Sequence, residues 1–107
     1  MSNSTYDIFF KNFANKTKLE IILCLREKPL SVGDISEKTK IEQSNISHQL
    51  KQLALCKIVE VKQKGKQRIY SLNKKTVVPM LELVEKHAKT NCPNGCFNKC
   101  PGCKNVV

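Results

Sequence analysis

Four cysteines lie within twelve residues near the end of this 107-residue chain. They are Cys92, Cys96, Cys100 and Cys103, separated by three, three and two residues. Prolines and glycines between them allow tight turns, and the segment has too few apolar residues to fold by forming a core. Four thiolates suit a tetrahedral site for a thiophilic metal ion such as Zn(II), Cd(II), Pb(II) or Cu(I), and three of them suit As(III). We therefore expect residues 91–107 to form a cysteine-rich tail that binds a metal or metalloid.

This spacing leaves the chemistry of the tail open. The cysteines suit a regulatory metal sensor, a permanently loaded structural zinc site, an iron–sulfur cluster or a dithiol redox switch. The N-terminal sequence MSNSTYDIFF lacks the basic and apolar regions of a signal peptide, so we expect a cytoplasmic protein. In a reducing compartment, clustered cysteines favour metal or redox chemistry over disulfides. The remaining two, Cys24 and Cys56, are interpreted as packing residues.

A second group of candidate functional residues precedes the tail. Compact hydrogen-bonding side chains of the type that contact base edges in the major groove fill the segment QSNISHQLK. The candidates are Gln43, Ser44, Asn45, Ser47, His48, Gln49 and Lys51. Apolar residues at Ile46, Leu50, Leu53 and Leu55 have nearly helical spacing, which predicts a helix with one buried face.

A basic hairpin is predicted directly after this helix. The period changes to two, with Ile58, Glu60 and Lys62 alternating with Val59 and Val61. A glycine turn follows at Gly65, and residues 67–72 return as a second strand. The hairpin presents cations to DNA phosphates, namely Lys62, Lys64, Lys66 and Arg68. A polar helix followed by a basic hairpin predicts a mainly α, winged helix-turn-helix fold. The alternative is an ordinary amphipathic helix beside a solvated charged hairpin.

The overall charge favours the DNA-binding interpretation. The net charge is +10, which indicates a polyanionic partner, usually nucleic acid. A membrane surface is the competing polyanion, but no apolar run in the sequence is long enough to cross a bilayer. We find no Ser/His/Asp constellation, no phosphate-binding glycine loop and no paired carboxylates, so we do not expect an enzyme.

Four further helices complete the predicted domain, which spans residues 1–90. They are expected at 6–14, 15–27, 32–38 and 73–89, after frayed residues 1–4. Pro79 lies inside the last, which predicts a kink or a later start, with Thr76 as the cap and Pro79 in the first turn. Ser31 is expected to cap the third, with Asp34 as its capping-box partner. Leu19, Ile22, Leu23 and Leu25 are expected on the buried side of the second. The first helix carries four aromatic residues at helical spacing, and the last carries an apolar stripe of Met80, Leu81, Val84 and Ala88. These two helices predict a dimer interface, with simple core packing as the alternative for the first helix.

Residues 15–89 resemble the ArsR/SmtB family of metal-responsive winged-helix repressors. QSNISHQLKQL is similar to the family's recognition helix, KGKQRIYSL to its wing, and PLSVGDIS falls at its third helix. The resemblance implies a homodimer that binds an inverted repeat in double-stranded operator DNA and releases it when an inducer binds.

The departures from that family concern its metal sites. The cysteine pair of the third helix is replaced by Ser31 and Gly33. On the last helix the family's acidic and histidine ligands are replaced, and only His87 keeps a ligand type. Lys57 stands where the family usually has a glycine, which predicts a strained turn or a different helix end. The tail cysteines are therefore the best candidates for an inducer site.

Overall fold

The computed structural model describes residues 1–91, and within them it confirms a mainly α fold with one two-stranded sheet. The elements are α1 (Asn3–Ala14), α2 (Lys16–Glu27), α3 (Val32–Thr39), α4 (Gln43–Leu55), β1 (Val59–Lys64), β2 (Gln67–Leu72) and α5 (Val77–Asn91). The first six belong to one compact unit, Met1–Asn73, and α5 belongs to a second unit that begins at Lys74. No helix within residues 1–91 is long and apolar enough to span a membrane.

The core of the first unit is built from aliphatic side chains on α2, α3, α4 and the start of the hairpin. The fully buried residues are Ile21, Ile22, Ile35, Ile46, Leu50, Leu53 and Ile58. The prediction for α2 was wrong in its details, because Ile21 is buried whereas Leu23 is exposed and Leu19 is half-buried. Leu55 was also assigned wrongly to the buried face of α4, since 76% of it is exposed.

The start of α3 is fixed by the predicted capping box. The Ser31 hydroxyl accepts a hydrogen bond from the Asp34 backbone N–H at 3.2 Å, and the Asp34 carboxylate accepts one from the Ser31 N–H at 3.5 Å. At the other end, Lys40 has a left-handed φ of 64°, and its N–H donates to the Ser36 carbonyl. This residue ends α3 and begins the turn into α4.

The end of α4 forms a Schellman motif around Lys57. The Ile58 N–H donates to the Leu53 carbonyl and the Lys57 N–H donates to the Ala54 carbonyl, both at 3.0 Å. Lys57 has a φ of 59°, a conformation in which glycine is usual. Of the two outcomes predicted for this position, the strained turn is the one observed.

The hairpin forms the predicted wing. Its strands are antiparallel, with Val59 opposite Leu72 and Lys64 opposite Gln67, and Gly65 takes a φ of 65° in the turn. Tyr70 also exchanges two backbone hydrogen bonds with Leu30, of 3.0 and 2.8 Å. The wing is therefore joined to the segment that connects α2 and α3.

The first helix begins at Asn3, so the expectation of frayed residues 1–4 was wrong for its first turn. Phe9 packs against Phe10 and Phe13, with ring centroids 5.3 and 5.2 Å apart. Tyr6, Ile8 and Phe10 each remain more than half exposed. The helix thus carries an exposed apolar face.

The last helix begins at Val77, later than the predicted residue 73. Pro79 therefore lies in the first turn, where a missing N–H costs no intrahelical hydrogen bond. Leu81 of the predicted stripe is buried, whereas Leu83 and Val84 are exposed.

Candidate nucleic-acid interface

The polar residues predicted to contact DNA lie on α4, outside its buried face. Gln43, Ser44, Asn45, Ser47, His48 and Lys51 are all exposed, and Gln49 is half-buried. The buried side chains of Ile46, Leu50 and Leu53 hold the opposite face of the helix in the core. Successive residues are rotated by about 100° in a helix, so these residues fall into three groups around its axis. The groups are Asn45 with Gln49, Ser44 with His48, and Gln43 with Ser47 and Lys51.

Hydrogen bonds within α4 orient two of these groups. The Gln49 amide nitrogen donates to the Asn45 side-chain oxygen at 3.1 Å, and the Gln49 Oε1 is buried without a partner among the described residues. His48 Nε2 lies 3.1 Å from Gln52 Nε2. Ser44 and His48 project most directly away from the buried face, whereas Gln49 lies beside it. His48 is therefore better placed than Gln49 to reach a base edge.

The third group faces the wing across an open cleft of about 850 Å³. Gln43, Ser47 and Lys51 line the cleft from α4, together with Leu50, Ala54 and Leu55. The remaining lining residues come from the start of α3, the turn after α4 and the wing: Ser31, Val32, Gly33, Lys57, Val61, Gln67, Arg68 and Tyr70. The cleft contains three cations and no carboxylate.

The four predicted cations of the wing do not share one face. Arg68 lies opposite Gln63, on the same face as Val61 and Tyr70, and it lines the cleft. Lys62 and Lys64 alternate with those residues and therefore point to the other face, while Lys66 lies in the turn. The structure thus brings Lys51 and Arg68 together and separates them from Lys62 and Lys64.

Lys57 is a lining residue that was missing from the predicted set of DNA contacts. Its only mark in the sequence is a lysine at a position where a similar family usually has a glycine. The sequence predicted a strained turn at Lys57, but nothing in it indicated that this residue lines a cleft between α4 and the wing.

The predicted metal ligands Cys92, Cys96, Cys100 and Cys103 lie outside the described residues. Among residues 1–91, no group of three or more His, Cys, Asp or Glu side chains is placed to hold a metal ion. Cys24 is half-buried and Cys56 is exposed, and neither forms a disulfide there. Burial raises the pKa of the Cys24 thiol, Lys38 acts in the opposite direction, and Glu27 adds a smaller increase.

Comparison with known proteins identifies the class of regulator. Residues 15–61 match the family model described as "Bacterial regulatory protein, arsR family". The chain is 29% identical over 79 residues to the transcriptional activator HlyU of Vibrio cholerae, covering 74% of this chain and 73% of that protein. It is 29% identical to a transcriptional repressor SmtB homolog of a Synechocystis species, covering 74% of this chain and 60% of that protein.

A third relative supports the same assignment in both sequence and structure. The HTH-type transcriptional regulator Rv0081 of Mycobacterium tuberculosis is 32% identical over 79 residues, covering 73% of this chain and 69% of that protein. The crystal structure of Rv0081 matches this fold with a TM-score of 0.74 at 27% identity, covering 87% of this chain and 97% of that chain. The fold, the α4 and wing surface and these matches show that the chain belongs to the arsR family of bacterial regulatory proteins, as a DNA-binding transcriptional regulator and not an enzyme.

Proposed function

We propose that this regulator is a homodimeric repressor that responds to a thiophilic metal or metalloid bound by its four C-terminal cysteines. In this proposal residues 1–90 bind the operator and form the dimer, and residues 91–107 are the sensing tail. The observation that carries the proposal is that α5 extends to Asn91, the last described residue, and that the first cysteine, Cys92, is the next residue in the sequence. Ordering the cysteines therefore acts directly on the end of α5.

The donor set fits a soft cation. Cysteine thiolates prefer Zn(II), Cd(II), Pb(II) or Cu(I) to hard cations, and three thiolates suit As(III). When bound, such a group supplies a cross-link between residues that are separated along the chain. Lys89, Lys99 and Lys104 are close to the cysteines in the sequence and are proposed to favour the thiolate form that binds such a cation.

The DNA contacts follow from α4 and the wing. The exposed side chains of α4 supply donors and acceptors for base edges, and the wing cations with Lys51 supply charge for phosphates. In a homodimer, two copies of α4 are related by a two-fold axis. They match an operator with two half-sites that lie one helical turn of DNA apart. The operator is therefore proposed to be an inverted repeat.

The homodimer is supported by exposed apolar side chains on two helices. Tyr6, Ile8 and Phe10 on α1 are more than half exposed, as are Leu83 and Val84 on α5. Exposed apolar side chains grouped on a helix are a common mark of a protein–protein contact. The repressor role is proposed because the SmtB homolog is a named transcriptional repressor, although the HlyU relative is named an activator.

The test combines operator binding with cysteine substitution. An operator is first selected from random duplex DNA with chelator-treated, reduced protein, and its affinity is measured by fluorescence anisotropy. We expect added Cd(II), Pb(II), Zn(II), Cu(I) or arsenite to lower that affinity. Cys96→Ser and Cys100→Ser should retain operator binding and lose the response, whereas the matched control Cys56→Ser should retain both.

Three results would contradict the sensor. Loss of operator binding in Cys96→Ser without any metal present would favour a structural zinc site. Iron, sulfide and visible absorption in protein purified without oxygen would favour an iron–sulfur or redox regulator. Uptake of thiophilic metals by the full chain with no change in operator affinity would separate the cysteines from regulation altogether.

A further inference from the structure

The turn between α4 and β1 places a lysine at a backbone position that favours glycine. Lys57 has a φ of 59° and occupies the C′ position of the Schellman motif that ends α4. A residue with a Cβ is strained in this conformation, and such strain persists only where the surrounding structure imposes it. Strained residues are frequent at functional sites, so the surroundings of Lys57 indicate whether its side chain has a role.

The backbone on both sides of Lys57 is held by Asn73, which follows β2. The Asn73 side-chain amide donates to the Lys57 carbonyl, and the Asn73 backbone N–H donates to the Ile58 carbonyl, both at 2.9 Å. These bonds tie the beginning of the wing to the residue that follows its end. The position of Lys57 relative to the wing is therefore set by the fold, while its side chain is exposed and lines the cleft.

Two other cations line the same cleft. Lys51 approaches from α4 and Arg68 from β2. Among residues 1–91, none of these three cations forms an ion pair with a carboxylate. Glu60 is the nearest acidic residue in the strand sequence, but it alternates with Val61 and therefore points to the other face of the hairpin. The cleft therefore has an uncompensated positive charge.

Apolar surface lies beside these cations. Leu55 and Val61 both line the cleft, and they are 76% and 46% exposed. Ser47 adds a hydroxyl group at the same surface. A ligand that fits must combine negative charge with apolar segments, as the alternating phosphates and deoxyriboses of a DNA strand do.

We infer that Lys57, with Lys51 and Arg68, forms a binding site for one sugar–phosphate strand of DNA in the cleft between α4 and the wing. Lys57 supplies a cation at the junction of these two DNA-binding elements, and Leu55 and Val61 pack against the sugars. Because the contacts are to phosphate, the site adds affinity for any sequence and carries no base preference. The inference rests on the DNA binding of the family and deepens it by assigning a residue outside the predicted set.

The chain offers a matched control for the backbone strain. Lys40 also has a left-handed φ, of 64°, and ends a helix, but it does not line the cleft. Lys57→Gly and Lys40→Gly therefore relieve the same kind of strain and remove the same charge, while only the first changes the cleft. Lys57→Arg keeps the charge in the cleft. Each full-length variant is purified reduced and metal-free.

The measured quantity is the salt dependence of binding to a labelled DNA duplex of arbitrary sequence. The affinity is measured by anisotropy between about 50 and 200 mM NaCl, a range over which loss of phosphate contacts is readily seen. Lys57→Gly should bind several-fold more weakly than wild type. The slope of log K against log salt, which is negative, should decrease in magnitude by about 0.9 for each protomer on the DNA, because one phosphate contact is lost. Its melting temperature should equal or exceed that of wild type, so unfolding does not account for the loss.

The controls separate the site from a general loss of charge. Lys40→Gly should keep the wild-type slope, Lys57→Arg should restore it, and Lys51→Gln and Arg68→Gln should each lower it as Lys57→Gly does. An unchanged slope in Lys57→Gly, or an equal loss in Lys40→Gly, would overturn the assignment of Lys57. A wild-type protein that binds no duplex DNA would instead overturn the DNA binding on which the inference rests.

Discussion

Substitution of Ser31 by alanine tests whether the capping box holds α3 in place. The Ser31 hydroxyl accepts from the Asp34 N–H at 3.2 Å, which is within the ordinary range for such a bond. The reciprocal bond from the Ser31 N–H to the Asp34 carboxylate is 3.5 Å long and correspondingly weak. Alanine removes the stronger bond and leaves the Asp34 N–H in the first turn without its protein partner.

The expected loss of unfolding free energy is about 1 kcal/mol, from a range of roughly 0.5–2 kcal/mol for such N-cap replacements. The middle of the range applies because only one of the two bonds has good geometry. For a domain of this size the melting temperature should fall by about 5 °C. Urea unfolding measures the free energy and thermal unfolding measures the melting temperature, both followed by far-UV circular dichroism in reductant and chelator.

Ser2 provides a matched control within the same chain. It is the N-cap of α1, but its side chain makes no capping hydrogen bond to the helix backbone. Ser2→Ala should therefore change stability by less than about 0.5 kcal/mol, as exposed substitutions usually do. Equal losses in Ser2→Ala and Ser31→Ala would refute the argument, because the cost would then reflect serine itself and not the observed bonds.

Three further predictions concern other parts of the first unit. His48→Ala should cost about 1–3 kcal/mol of operator affinity and relax the preference at one base pair in a selection assay, whereas Gln49→Met should cost little, since Gln49 is half-buried and its Oε1 is unpaired. Gly33→Ala should raise the unfolding free energy by about 0.5 kcal/mol in urea titration, because alanine is favoured over glycine in a helix and a Cβ there meets nothing closer than 3.9 Å. A fall in the unfolding free energy of the same size would show that α3 does not tolerate the added methyl group. Burial raises the pKa of the Cys24 thiol, so this thiol ionises at a lower pH in the unfolded chain than in the folded chain. Its contribution to stability is therefore fully present below the unfolded pKa and is lost as the pH rises through the folded pKa. With the other five cysteines replaced by serine, alkylation of Cys24 by iodoacetamide should therefore require a higher pH in the folded chain than in urea.

Features determined by neighbouring residues could be predicted from the sequence. The capping box of Ser31 and Asp34, the glycine turn at Gly65 and the first-turn position of Pro79 each depend on a few consecutive residues. Their geometry follows from side-chain chemistry and backbone sterics alone. These features placed α3, the wing and the start of α5 correctly to within a few residues.

Features that depend on which apolar side chain faces the core were harder to predict. In the run IILCL of α2 almost every position is apolar, so helical spacing does not identify the buried face, and Ile21 was missed while Leu23 was wrongly placed inside. The prediction for Leu55 was wrong for a related reason. It follows Leu53 by two residues, which turns it about 200° away from the buried face, and its apolar character alone suggested burial.

The cleft could not be predicted because it is produced by the junction of two elements. Lys51, Lys57 and Arg68 are separated in the sequence by helix, turn and hairpin, and they meet only because the Schellman turn and the Asn73 hydrogen bonds fix the wing beside α4. The same junction separates Arg68 from Lys62 and Lys64, although all three belong to one basic hairpin in the sequence.

The arrangement of α4 makes stability and DNA binding separable by substitution. Ile46, Leu50 and Leu53 are fully buried, so truncating any of them to alanine removes core contacts and should cost about 2–5 kcal/mol of unfolding free energy. His48 and Lys51 are exposed on other sides of the same helix, and their removal leaves that core intact. A variant such as Leu50→Ala should therefore lose operator binding only in proportion to its unfolded fraction, whereas His48→Ala should lose it while fully folded. If Leu50→Ala remained folded at low temperature yet still failed to bind the operator, the core would be controlling the orientation of α4, and the two faces would not act independently.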